Sequence, residues 1–252
     1  MKRYTAFFVI LILLQAGCKT AIKTPISGLW VYTYYAGLHE PDPENATTMN
    51  FIELRDDGTY TRNFGTFDYG RWQQKDTILI LSVRNKGAVN CSIRNLEEDE
   101  LLLKITGHPL MDFRKKPNEF ANPDDNPFSV ANNQWRIPAT KKESDAEIKN
   151  RLKNHLHFYE MYFKWGLDSK LSTVDARGTP SLIKMYGNGV VLRPYDQLPA
   201  AWQSFFYDST DCRKANDIMK AVFNNNKIVW EHKEHKYKMF LSAFQQLQQF
   251  IK

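Results

Sequence analysis

Six histidines, three cysteines and a paired Asp124-Asp125 are the residues of this 252-residue chain whose types and spacing could do chemistry. His232 and His235 stand three apart, with Glu231 and Glu234 beside them. On a helix that spacing puts both imidazoles on one side, as a metal ion requires. They fall where a short strand is expected to give way to a helix, and no third ligand accompanies them. A solvated charged turn is therefore the preferred reading, and no metal is assigned. His155 and His157 face different sides of their helix, His155 being expected in the core or against a carboxylate. Asp124 and Asp125 lie among asparagine oxygens but lack the glycine and terminal glutamate of a calcium loop, so they too read as a turn. Gly-x-Ser-x-Gly, Gly-x-x-x-x-Gly-Lys and His-Glu-x-x-His motifs are all missing, and Gly187-x-Gly189 lacks the third glycine of a dinucleotide fingerprint. No catalytic residue and no cofactor is assigned. A hydrolase using acidic and histidine groups of the C-terminal half is the least favoured reading. Cys91 and Cys212 either bridge the two halves in an oxidising compartment or stay buried thiols, the latter being preferred.

The third cysteine carries a sharper signal. Met1-Lys2-Arg3 is a basic head, residues 6–14 are an unbroken apolar run, and Gln15-Ala16-Gly17 leads into Cys18. Nine apolar residues are too few to span the roughly 30 Å of a bilayer's hydrocarbon core. A basic head, an apolar stretch and small residues at the cut describe an export signal. Ala16-Gly17-Cys18 resembles the lipobox of bacterial lipoprotein signals, although Gln15 stands where leucine is usual. The resemblance implies cleavage after residue 17 and acylation of Cys18. Each buried methylene of the acyl chains would hold the protein to the bilayer by about 0.8 kcal/mol. Residues 18–25 are then a tether. The absence of an acidic run after Lys19 fits an outer-membrane address facing the periplasm. Ordinary secretion with an incidental cysteine is the alternative.

The elements that would position any site divide into two patterns. From residue 26 to 116, short alternating stretches are broken by turn residues, with Asp56-Asp57-Gly58 and Gln74-Lys75-Asp76 as hairpin signals. About eight strands joined by short links suit an up-and-down antiparallel β-barrel that leaves no raw edge. Ser27-Gly28-Leu29-Trp30 resembles the Gly-x-Trp motif on the first strand of lipocalins. Asp57-Gly58-Thr59-Tyr60 followed by Gly70-Arg71-Trp72 is similar to the lipocalin-like domains of bacterial lipoproteins, and Phe113-Arg114 matches the family's closing arginine. The resemblance implies that Trp30 and Arg114 close one end by cation–π contact, and that the lumen takes a small apolar ligand. Tyr32, Tyr34, Phe51, Tyr60, Phe67, Tyr69 and Trp72 are the candidate interior residues. Those that point inward either line such a cup or fill it, filling being preferred. Ile78-Leu79-Ile80-Leu81 is apolar on both faces, so one outer wall should be covered by the C-terminal half.

Residues 117–138 are rich in proline and asparagine and read as a linker without regular elements. From 139 to 252 helical spacing dominates. Ser144-Asp145-Ala146-Glu147 is a capping box, and Ile148, Leu152, His155 or Leu156, Tyr159 and Phe163 form a stripe that Gly166 should terminate. Lys149, Arg151, Lys153 and Lys164 occupy the opposite, solvated face. A hairpin over 181–192, a helix after Pro199, a helix capped by Asp208 or Ser209, a strand over 227–231 and a final helix with Tyr237, Phe240, Phe244 and Leu247 complete an α-rich module. The fold class is thus α+β, in two modules. Trp202, Phe205, Phe206 and Tyr207 would make a partner-binding patch if exposed, though core packing is the preferred reading.

The composition, 42% apolar and 25% charged, excludes a disordered tail and a disulfide-knotted miniprotein. The formal charge of +6 includes Lys2 and Arg3 of the leader, so the remainder is only mildly basic and nucleic acid is a poor partner. The expected role is non-enzymatic: binding a small apolar ligand or an envelope protein through the barrel. A scaffold presenting the C-terminal aromatic and basic surface is the alternative.

Overall fold

Alternation does most of the building in the N-terminal half. In the computed structural model, residues 25–35, 50–64, 66–83, 87–120, 122–168, 196, 198, 200–232 and 234–251 are described. The leader with Cys18, the 181–192 hairpin, Pro199 and the side chain of Tyr34 lie outside them. Eight strands follow in order: β1 (Gly28–Tyr35), β2 (Phe51–Leu54), β3 (Thr59–Asn63), β4 (Phe67–Lys75), β5 (Ile78–Val83), β6 (Ala88–Leu96), β7 (Glu100–Ile105) and β8 (Leu110–Lys116). Each pairs antiparallel with the next, and β8 returns to β1, closing the barrel. The β2–β3 hairpin shows why its turn sequence works. Gly58 takes φ +78, while the Thr59 backbone amide and hydroxyl both donate to Asp57 Oδ1, at 2.8 and 2.6 Å.

The register sorts side chains into two cores. Trp30, Ile52, Leu54, Tyr60, Leu81 and Phe113 belong to the inner cluster. Leu29, Val31, Phe51 and Phe67 point out from the same strands and join the helices in a second, larger cluster. The covered wall is therefore β1–β4. Ile78 and Ile80 on β5, expected to mark it, instead lie outside that cluster and keep partial exposure. Cross-strand neighbours Gln73 and Asn90 flank Ile80, which is cover enough for one aliphatic side chain on a sheet face.

Residues 117–138, read as a linker, are instead a packed wedge with two 3-10 turns, Pro123–Asp125 and Ala131–Arg136. Their asparagines do the work that a longer element's ladder would do. Asn122 accepts from the Asp124 amide, Asn126 from the Phe128 amide, and Asn133 donates to the Pro127 and Ser129 carbonyls. Phe128, thus presented, packs edge-on against Phe51 of the barrel and Trp165 of the helices, both at 4.9 Å between ring centroids. Thr61 of β3 donates its hydroxyl to the Phe128 carbonyl at 3.0 Å.

The described helices are α1 (Asp145–Asp168), α2 (Ala200–Gln203), α3 (Ser209–Asn225) and α4 (Lys236–Phe250). The capping box at α1 forms as expected, with Glu147 accepting from the Ser144 amide at 2.7 Å and the Glu147 amide reaching back to Ser144 Oγ. Asp208 caps α3 by accepting from the Thr210 and Asp211 amides. Gly166 does not end α1, which runs on to Asp168. Its role is close approach: a Cβ there would lie 2.3 Å from Tyr237 Cε1 on α4. Arg151 is not on a solvated face either. It pairs with Glu143 at 2.8 Å and donates to the Trp135 and Ile137 carbonyls, clamping the wedge to α1.

The expected strand over 227–231 is irregular chain with no strand partner among the described residues. The amide side chain of Gln246 on α4 takes the place of a neighbouring strand, accepting from the Val229 amide and donating to its carbonyl, each at 2.9 Å. Among the described residues no helix is long and apolar enough to cross a membrane.

Candidate functional site

Inward-facing side chains of the barrel pack on one another in an inner cluster. Of the seven expected interior aromatics, Tyr60 belongs to the inner cluster and Tyr32 and Trp72, partly buried, pack against it. Phe51, Phe67 and Tyr69 do not: they share the face of Thr61 and pack outward, against the wedge and helices. The reason is the period of two along each strand, which fixes Tyr69 opposite Thr61 once Tyr60 points in. Tyr32 meets Phe113 edge-on at 6.0 Å. Trp72 donates its indole N–H to the Arg55 carbonyl at 2.9 Å. Near the β3–β4 turn, Asp68 accepts from Tyr60 Oη at 2.9 Å and from Arg62 Nε and Nη2 at 2.8 and 2.6 Å. Arg62 also lies over the Phe64 ring, 5.0 Å from its centroid. Burial raises the Tyr60 phenol, the Asp68 charge adding to it, so this hydroxyl stays a donor. Tyr60, Arg62 and Asp68 thus satisfy one another.

One end is closed by a cation over Trp30, but the cation is Lys115. Its Nζ lies 5.3 Å from the indole centroid, while Trp30 Nε1 donates to the Ile26 carbonyl at 2.7 Å. Gly28, at φ +135, leaves the space the lysine stem crosses; a Cβ there would sit 2.6 Å from Lys115 Cε. Arg114 faces outward and pairs with Glu100 at 2.6 Å and Asp112 at 3.5 Å. With Phe113 inside, alternation sends Arg114 out and Lys115 back in.

The titratable residues singled out in the C-terminal half are scattered. His232, at φ +53, and His235, which caps α4, lie on a turn rather than a helix face. No group of three or more potential metal-binding side chains forms among the described residues. Cys91 and Cys212 are both buried free thiols in different clusters, and burial pushes them up to about 11 and about 12. Trp202, Phe205 and Phe206 are core residues; only Tyr207 of that quartet is exposed.

His155 is buried in an aromatic box, its ring 4.3 Å from Trp135 and 5.0 Å from both Tyr159 and Trp202. Arg136 caps this box, lying 4.2 Å from the Trp135 centroid and 4.6 Å from that of Phe158. Its Nε donates to Asn133 at 2.9 Å. Burial lowers Arg136 to about 10. Burial first, and the Arg136 charge second, hold His155 well below the ordinary histidine range. Nothing in the sequence motifs marked Trp135 or Arg136, since both lie in the presumed linker.

The sign of this shift predicts a pH dependence. Unfolded His155 takes up a proton near pH 6.5 that the folded chain refuses, so stability is full above that pH and drains below it. The slope is at most about 1.4 kcal/mol per pH unit. His157 acts the other way. Its hydrogen bond to Glu160 raises it, so it adds stability at low pH that is lost as pH rises through its folded pKa, and its exposure keeps the effect small. Urea melts at pH 7, 6 and 5 should show falling stability that His155→Leu flattens and His157→Gln does not.

A groove of about 610 Å3 lies between the exit of β8 and α1. Phe120, Met161 and Trp165 are its apolar lining; Glu119, Asp125 and Asp168 line it together with His157, Glu160 and Lys164. Trp165 donates its N–H to the Pro117 carbonyl at 3.0 Å, which fixes the indole. Glu160 accepts from Gln248 at 2.6 Å and Gln245 at 3.1 Å, and its bond to His157 foremost lowers it to about 2. Sequence reasoning missed this groove because its two sides come from the wedge and from α1, about forty residues apart. Comparison of the chain with family models, curated proteins and solved structures found no match.

Proposed function

We propose that this chain is a non-enzymatic, cell-envelope lipoprotein, tethered through acylated Cys18 and facing the periplasm, that binds another envelope protein. The observation carrying the binding reading is the closed eight-stranded barrel with Gly28-x-Trp30 on its first strand. That pattern supports a lipocalin-like module. The buried members of the barrel's inner cluster, from Trp30 to Phe113, are at most 7% exposed, and partly buried Tyr32 and Trp72 pack against them; this packing favours a partner on the outer surface over an apolar molecule in the lumen. The leader, with its basic head and Ala16-Gly17-Cys18, supports the tether.

Two measurements test the reading. Radiolabelled palmitate should enter the wild-type chain and not Cys18→Ser, which should leave the membrane fraction. Label in the variant, or an unlabelled wild type, defeats the tether. Cross-linking in intact envelopes should capture a protein neighbour, while native mass spectrometry should find no bound lipid. A stoichiometric lipid released only on unfolding would restore the ligand-cup reading.

A further inference from the structure

We propose that the groove between the β8 exit and α1 receives a lysine-bearing, apolar-flanked segment of the partner polypeptide. The inference rests on the partner-binding reading above and deepens it by naming the surface and the chemistry. Its first support is a charge imbalance. The basic side chains at the groove are already matched: His157 Nδ1 lies 3.3 Å from Glu160 Oε2, and Lys164 Nζ 3.5 Å from Asp168 Oδ2. Glu119 and Asp125 have no ion pair among the described residues, and both are exposed. Asp125 acts only at longer range, on His157, so the groove presents a surplus of negative charge beside apolar surface, which suits an ammonium group on an aliphatic stem.

The apolar side is built to hold its shape. Trp165 is only 5% exposed. It is held by its bond to Pro117 and by edge contacts with Phe128 at 4.9 Å, so little ordering cost falls on binding. Met161 is buried to the same degree, so these two side chains form a fixed apolar floor, and half-buried Phe120 supplies the accessible apolar side against which an aliphatic stem can lie. The third support concerns the form of the occupant. Glu119 and Phe120 line one side as irregular chain, and their backbone groups make no hydrogen bond among the described residues. A polypeptide laid along this side can pair with those groups as a free amine cannot.

The test uses the full chain in detergent with a fluorescent, acetylated hexapeptide of alternating leucine and lysine. Saturable binding is expected, weakening as salt is raised. It should fall at least about tenfold in the double variant Glu119→Lys/Asp125→Lys, whose exposed positions should leave the melting curve unchanged. A peptide with glutamate in place of lysine should not bind. Absent binding, equal binding of the glutamate peptide, or indifference to the double variant overturns the proposal. Full displacement by butylamine at concentrations equivalent in lysine side chain would also overturn it, assigning the groove to a small amine. If the envelope cross-link survives the double variant, the partner docks elsewhere and the partner-binding reading stands without the groove.

Discussion

Replacing Trp135 by alanine is expected to destabilise the protein by about 3–5 kcal/mol, the range for a large buried aromatic cut to a methyl group. The indole is 3% exposed and touches the wedge, α1 and the turn after α2. It lies against Phe158 at 5.5 Å and Phe205 at 5.4 Å as well as His155. Its loss leaves a void, and also takes from Arg136 one of the two rings over which that buried cation sits. An unscreened charge in an apolar setting is the costlier half of the change. Phenylalanine at the same position keeps a ring and should restore roughly half of the loss. Urea denaturation of both variants checks this. A loss under about 1 kcal/mol for the alanine variant would mean the box is not a keystone of the core.

The second expected result is a reversed sign. Glycine to alanine inside a helix ordinarily stabilises by about 1 kcal/mol. Gly166→Ala should instead destabilise by about 1–3 kcal/mol, the usual cost of overpacking. The new methyl group would meet Tyr237 Cε1 at 2.3 Å and Cδ1 at 2.6 Å. That ring is itself buried and held against Phe163 at 5.9 Å, so it has nowhere to swing. In a Tyr237→Leu background the same substitution should become neutral or stabilising. The sign change across this double-mutant cycle is the readout, and a destabilisation that persists in the leucine background would point to strain elsewhere.

The barrel was legible because its signal is local. Alternation and the Asp57-Gly58 turn are written within a few residues of each strand, and the eight strands fall where those cues put them. Which outer wall is covered was less legible, since an apolar outward residue looks the same whether a helix or a neighbouring glutamine shields it. Ile80 and Phe51 illustrate the two outcomes. The closing cation was legible in principle. Phe113 inside implies Lys115 inside, but a family pattern pointed to Arg114, whose parity is wrong. The wedge was the least legible part. Its prolines and asparagines do break long elements, yet asparagine side chains can replace the missing backbone ladder, as Asn133 does between two carbonyls. The groove follows the wedge into that blind spot, because its two banks come together only when Phe128 is seated.

The seating of Phe128 between Phe51 and Trp165 makes neither half of this chain a portable part. A barrel cut loose after Lys116 would carry Leu29, Val31, Phe51 and Phe67 bare on one flank, and helices cut loose would lose the surface they lean on. Duplication or shuffling of either half alone would therefore yield a sticky fragment, and the two are bound to be inherited together.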